Sequence, residues 1–510
     1  MSKFLVSGGM SIFWYHFFFL MYNVVMGERK RNNSKRIIIL VLGFLVIFAG
    51  VFFGIQFLTK TGIFRVPGVV KYDESLSETE ISELKTIFTD EVDLDKDVSI
   101  SAYETETRPE TKEGEFIVGV RVPVADFYET RTDVNEYAEG EYEEIGVNEL
   151  DDKVKLLSKN GKYYLDDFNA GATFRVLKID SEKYNDEIAP LIGDKFVRKY
   201  PSKDTTLTFA QTGVTAMSRG MNRKLAEVGD ATFFAEKISD FLSSFDLTHT
   251  SNESSFSNYA TGDNICSNPR FIDTLKSIGL DIVELTGNHN QDCGDEAAEN
   301  TIDIYRENNI KIVGGGKTAD EAAVPLEINE KGNGITFLAY NLSTGGATLD
   351  DTPGANQYDE DNAVKEIKAA KERGDKVIVD IQYYECAAYA SEYEDNTCDY
   401  AGSSAGDQIG FFRHLIDLGA DVVVGTSAHQ PQTYEKYGDG VIYYGLGNLF
   451  FDQIWWPGTT RSLILAHYFY DGKLLQTKVI PTVYDQNMQT ALMDDASAKS
   501  FLARLMSERP

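Results

Sequence analysis

From Leu207 to Asn448 the chain switches repeatedly between short apolar runs and longer stretches with helical spacing, an order that few folds accept. The runs TLTFAQTG, FDLTH, DIVELTG, IKIVGGG, ITFLAYN, KVIVDIQ, DVVVGTS and VIYYGLGN each end in a small or polar loop. Between them lie AEKISDFLSSF, RFIDTLKSIG, AAENTIDIYREN, AVKEIKAAKERG and IGFFRHLIDLG, whose apolar residues follow the helical period. Strands alternating with helices predict an α/β domain with β-sheet buried between helices. Ligands of such domains bind beyond the carboxyl ends of the strands, so the closing loops are where functional residues are expected.

The rest of the chain frames that domain. At 510 residues and 42% hydrophobic, there is material for two or three domains. Ile37–Leu58 holds 22 residues without a charge, enough at helical rise to cross a ~30 Å hydrocarbon core. Arg29, Lys30, Arg31, Lys35 and Arg36 precede it, and basic residues on that flank keep residues 1–36 cytoplasmic. The reading is a single-pass cell-membrane protein whose later domains are extracytoplasmic. A cleaved signal peptide is the competing reading, but the apolar run exceeds the usual ~7–15 residues and no A-x-A-like site follows. Residues 1–25 are either a second apolar segment or the product of a misassigned start upstream of Met26.

Residues 70–200 read as a small acidic α+β domain: ETEISELKTIFTDEV is helical in spacing, while FIVGVRVPVADFYE and ATFRVLKI read as strands. A main domain of residues 205–488 and a helical tail, 489–510, complete the chain. The formal net charge of -31 sets it against nucleic-acid backbones and anionic lipid surfaces. Four cysteines fit an oxidising exterior; Cys386 and Cys398 are close enough to close a small loop, which leaves Cys266 with Cys293, though all three connectivities stay open. None has zinc-site spacing.

The strand-end loops collect a set of polar residues: Asn252 and Glu253, Asn288, His289 and Asp292, Gln382 and Glu385, His429, and Asn448. Carboxylate, imidazole and amide oxygen are the donor types of a first-row divalent site. Singly, each is more often a turn cap. Asp292 is spaced to orient His289, and a His with a carboxylate partner suits general-acid work. Other patterns fail: in GGGKT the first Gly of a P-loop would fall on Lys311, and in GTSAH His429 stands where the nucleophile elbow needs Gly. FFDQIWWPG, with Trp455 and Trp456, reads as core and rim packing, with stacking on a polymer as the alternative.

Taken in order, GVTAMSRG, SNESSF, FIDTLKSIGLDIVELTGNHNQDCG, NNIKIVGGGKTADEAAVPLEI and GADVVVGTSAHQPQTYEKYGDGVIYYGLGNLFFD resemble the CapA family of poly-γ-glutamate capsule proteins. The domain of that family is similar to calcineurin-like metallophosphoesterases. The resemblance covers about residues 205–485 and implies a metallophosphoesterase-like sandwich, an anionic cell-surface polymer as partner, and association with other capsule-synthesis membrane proteins. It also implies roles: Glu253, Asn288 and His429 as metal ligands, His289 as the acid, and Asn448 in the family's S-L-G-N-F position. Arg219 matches the Arg of the opening motif, and with Arg223 and Lys224 would supply a basic patch for the polymer. Asn252, Gln382, Glu385 and Asn448 would line the substrate site.

The departures are as telling. Where the family carries a ligating Asp stands Val214, an expected His is Gln382, and the two leading His of G-H-H-P-H are Thr426 and Ser427. Such a donor set holds one divalent ion more readily than two. Two function classes follow: metal-assisted hydrolysis or transfer, and non-catalytic binding or export on a degenerate site.

Overall fold

The computed structural model describes residues 69–88, 97–138, 140–181, 192–193, 195–196, 199–342, 345–346, 351–383, 408–455, 458–507 and 509. The expected transmembrane span at 37–58 lies outside them, as do Glu385, Cys386, Cys398 and Trp456. Among the described residues no helix is long and apolar enough to cross a membrane. The chain divides into two compact units. The first, Met1–Ala102 with Leu177–Asp194, holds the helix Glu78–Phe88. A capping box begins it: the Glu80 N–H donates to Ser77 Oγ, and the Ser77 N–H donates to the Glu80 carboxylate.

The second unit, Tyr103–Val176 with Lys195–Pro510, carries the mixed α/β domain. In it the strand Glu115–Asp126 pairs antiparallel with Glu143–Gly146 and Val154–Leu156. Val122 and Val124 share a buried cluster with Ala466, Tyr468 and Leu475.

Strands β1 (Leu207–Thr215), β2 (Leu247–Asn252), β3 (Ile282–Glu284) and β4 (Lys311–Val313) are successive parallel neighbours in one sheet. The chain then builds a second sheet from β5 (Leu326–Glu330), β6 (Asn333–Asn341), β7 (Lys376–Gln382), β8 (Val422–Gly425), β9 (Tyr434–Tyr437) and β10 (Gly440–Tyr443), ordered β5-β6-β7-β8-β10-β9. It returns to the first sheet through β11 (Asn448–Phe450), parallel to β1, and the antiparallel β12 (Arg461–Tyr470), β13 (Lys473–Tyr484) and β14 (Thr490–Leu492).

The expected sheet between helices is therefore two sheets face to face. Side chains alternate between two cores. Leu207, Phe209, Ile335, Phe337, Ile378, Val422, Val424, Leu463 and Leu465 meet between the sheets. The residues between them, such as Leu338, Val377, Val379 and Val423, face outward onto helices α4 (Glu360–Arg373) and α5 (Gln408–Asp417). On the first sheet, Ala210, Val283 and Ile464 face outward with α1 (Gly220–Val228), α2 (Ile272–Ser277) and α3 (Asp295–Glu307). Burial of both faces is why these strands read as unbroken apolar runs.

One expected helix shortens. AEKISDFLSSF keeps only the turn Ser239–Leu242, after Ile238 at φ -126°. Ser244 Oγ donates back to the Phe241 carbonyl and competes with helix continuation.

The inward positions change character along the strands. Beyond Phe209, Leu247, Ile282 and Ile378 come Gln211, His249, Glu284 and Asp380, all buried, and buried His467 of the antiparallel β12 stands opposite Phe209 and reaches Gln211. Gln211 Nε2 donates to Asp380 Oδ1 at 2.6 Å, and His249 Nε2 lies 3.2 Å from Asp380 Oδ2. A buried polar layer thus separates the apolar core from the loops at the carboxyl ends.

Candidate functional site

Each site loop begins where a parallel strand ends. β2 ends on Asn252, whose Nδ2 donates to the Ser254 carbonyl at 3.0 Å. Glu253 follows, 1% exposed, its N–H donating to Thr215 O of β1 at 2.9 Å. The loop after β3 presses against it: a Cβ on Gly287 would lie 2.5 Å from Glu253 Cα, so only glycine fits. Asn288 comes next, and then His289, whose Nδ1 is 2.8 Å from Asp292 Oδ2. These two side chains are 35% and 40% exposed, whereas Glu253 and Gln382 are sealed.

Gln382 ends β7 and ties the loops together. Its Nε2 donates to Asn288 Oδ1 at 3.0 Å, Ser427 Oγ at 3.1 Å and Glu253 Oε1 at 3.2 Å. After β8, Thr426 and Ser427 lead to His429, whose Nε2 is 3.9 Å from Glu253 Oε2. Its Nδ1 bonds Asn448 Oδ1 at 2.9 Å, while Asn448 Nδ2 donates to Gln453 Oε1 and the Thr459 carbonyl. Those donations fix the Asn448 oxygen as an acceptor, so His429 carries its proton on Nδ1.

Glu253, Asn288, Gln382, His429 and Asn448 are thus one connected cluster. Arg219 borders it differently from the expected open basic patch. Its Nε and Nη2 donate to Asp452 Oδ1 at 3.2 and 2.7 Å, and its guanidinium lies 4.8 Å from the Phe451 ring, which also packs 5.2 Å from His429. Asp452 Oδ2 accepts from the Gly220 N–H as well, tying Arg219 to the start of α1. Arg223 pairs with Asp263 and Lys224 with Glu227. Reading the sequence for donors alone passes over Phe451 and Asp452; the acidic residue closing GLGNLFFD was the available sign of a partner for Arg219.

The donor set does not fit the metal that the resemblance implies. Val214, in the place of a ligating Asp, is 1% exposed and packs with Ala216 and Phe451. Gln382 presents an N–H donor to Glu253 and Asn288, the reverse of a ligand. Among the described residues no group of three or more His, Cys, Asp or Glu could hold an ion.

A disulfide, Cys266–Cys293, joins the loop after β2 to the one after β3, with the Cα atoms 5.9 Å apart. It spans 27 residues of sequence and clamps the two loops that carry Glu253 and His289. Cys266→Ser is expected to lower the unfolding free energy by about 3 kcal/mol, read by thermal melting of the oxidised protein. A melt matching that of wild type would show that packing alone holds these loops.

Residues 208–453 match the family described as bacterial capsule synthesis protein PGA_cap. The chain is 25% identical over 216 residues to the capsule biosynthesis protein CapA of Bacillus anthracis, covering 41% of this chain and 49% of that one. To the PGA biosynthesis protein CapA of Bacillus subtilis (strain 168) it is 27% identical over 210 residues, covering 40% and 52%. The chain spans about half the length of the curated relatives it matches. Residues 208–453 thus form a domain of the bacterial capsule synthesis PGA_cap type, and the two CapA relatives support the same family.

Proposed function

We propose that this chain is a membrane-anchored, extracytoplasmic protein of metallophosphoesterase-like build that holds an anionic cell-surface polymer, such as poly-γ-glutamate, during its synthesis, export or anchoring. The anchor is Ile37–Leu58, and other capsule-synthesis membrane proteins are its partners. The observation that carries the binding reading is the contrast between a sealed, internally bonded floor and an exposed His289–Asp292 pair above it. With Nδ1 engaged by Asp292, His289 has Nε2 left for a ligand oxygen, a fixed contact rather than a mobile one. A γ-linked glutamate polymer offers one amide and one carboxylate per unit. Hydrogen-bonding groups therefore suit it even though Arg219, Arg223 and Lys224 are paired within the chain.

The test is retention of poly-γ-glutamate by the full-length protein in detergent. His289→Ala is expected to weaken retention about tenfold, the scale of one charge-assisted hydrogen bond. Unchanged retention in His289→Ala would remove the site from this role. The same 2.8 Å His289–Asp292 bond favours a second reading, acid catalysis by His289. Shortening of the polymer with time, abolished in His289→Ala, would establish it instead.

A further inference from the structure

We propose that the Gln382 amide is a built-in stand-in for a cation, so that this pocket is complete without a divalent ion. Its Nε2 sits at hydrogen-bond distance from three oxygens that converge from three separate loops: Glu253 Oε1, Asn288 Oδ1 and Ser427 Oγ. Three oxygen donors around one centre are what an ion would gather; here an N–H₂ group does it. A carboxylate accepts and does not donate, so the Glu253 contact orients the amide with nitrogen inward. An ion placed there would meet two N–H hydrogens.

The surroundings agree. Gln382 is fully buried at the end of β7, its backbone held by pairing with Asn341 on β6. Val214 has closed the neighbouring position with apolar packing against Phe451. The carboxylate of Glu253, 1% exposed, is stabilised by a neutral donor where an ion would have supplied charge. The inference concerns the pocket assigned above to the polymer and rests on that reading only for the pocket's use. It predicts polymer retention that is insensitive to chelator.

The experiment is metal content by elemental analysis on the full-length protein, stripped with chelator and then offered Mn²⁺ or Zn²⁺, with melting temperature recorded alongside. Wild type is expected to take up no ion and to melt unchanged. Gln382→His is expected to gain about one equivalent and a higher melting temperature, both lost when Glu253→Gln is added. Gln382→Glu is the second variant should the histidine fail to fold. Retention of about one equivalent by wild type, lost in Glu253→Gln, would overturn the inference. So would wild type and both Gln382 variants all remaining metal-free, because the block would then lie elsewhere. Polymer retention measured on the same samples separates the two readings. Metal in wild type with polymer held sinks only this inference; no metal and no polymer sinks only the polymer reading.

Discussion

Asp380→Ala is expected to lower the unfolding free energy by about 3–5 kcal/mol, the cost of stripping one member from a buried charged group. Asp380 is completely buried between the sheets, and it accepts from Gln211 Nε2 at 2.6 Å. Its other oxygen faces His249 Nε2 at 3.2 Å. Gln211 Oε1 continues the chain to His467 Nε2 at 3.2 Å, and His467 Nδ1 reaches Thr477 Oγ1 at 2.8 Å. Alanine would leave the buried Gln211 amide without its acceptor and would remove the carboxylate that faces the His249 ring. Asp380→Asn keeps an oxygen toward Gln211 and is expected to cost less, about 1–2 kcal/mol. Chemical denaturation of the three proteins reads the difference. An alanine variant within about 1 kcal/mol of wild type would mean that the layer is not the tie between the sheets that its geometry makes it.

This polar layer marks where the sequence could be read and where it could not. The alternation of apolar runs and helices was legible, because each run had to be a strand buried on both faces and each amphipathic stretch a cover for it. Which residues faced inward was a matter of phase. Asp380 inside KVIVDIQ, Glu284 inside DIVEL and His249 inside FDLTH are charged or titratable residues within apolar strands. With period-two alternation, their phase puts them beside Ile378, Ile282 and Leu247 on the inner face. Attention to loop residues alone passes over them. The strand-end loops were legible as a set, and Glu253, Asn288, Gln382, His429 and Asn448 do meet. The pairing of Arg219 with Asp452 was not, since 233 residues separate them and only the return of β11 beside β1 brings them together. Nor was the part of Gln382, because the three loops that its amide joins come together only in the fold.

The second large expected effect is a stability difference that changes with pH in opposite directions for two members of the layer. Burial, and then the charge of Asp380, pushes the Glu284 carboxyl from 4.5 up to about 7. Its folded form therefore holds a proton that its unfolded form releases, and the stability this contributes is complete below pH 4.5 and lost as pH rises through 7. The loss amounts to about 3 kcal/mol. His467 is shifted the other way: burial, and then the neighbouring His249, lowers it from 6.5 to about 3. It stays neutral when folded, so its contribution is complete above pH 6.5 and lost as pH falls through 3, by about 5 kcal/mol. Glu284→Gln mimics the protonated carboxyl and keeps an oxygen for the Thr286 N–H and hydroxyl. Relative to wild type it should gain stability steadily from pH 4.5 to 8, read as a difference in melting temperature. His467→Gln should gain on wild type only as pH falls below 6.5. Between pH 4.5 and 6.5 the folded layer holds one proton on Glu284 where the unfolded chain holds one on His467, so the two slopes cancel. Curves for the variants that run parallel to wild type across the whole range would mean that neither group changes its proton affinity on folding. The layer would then be wetter than its burial implies.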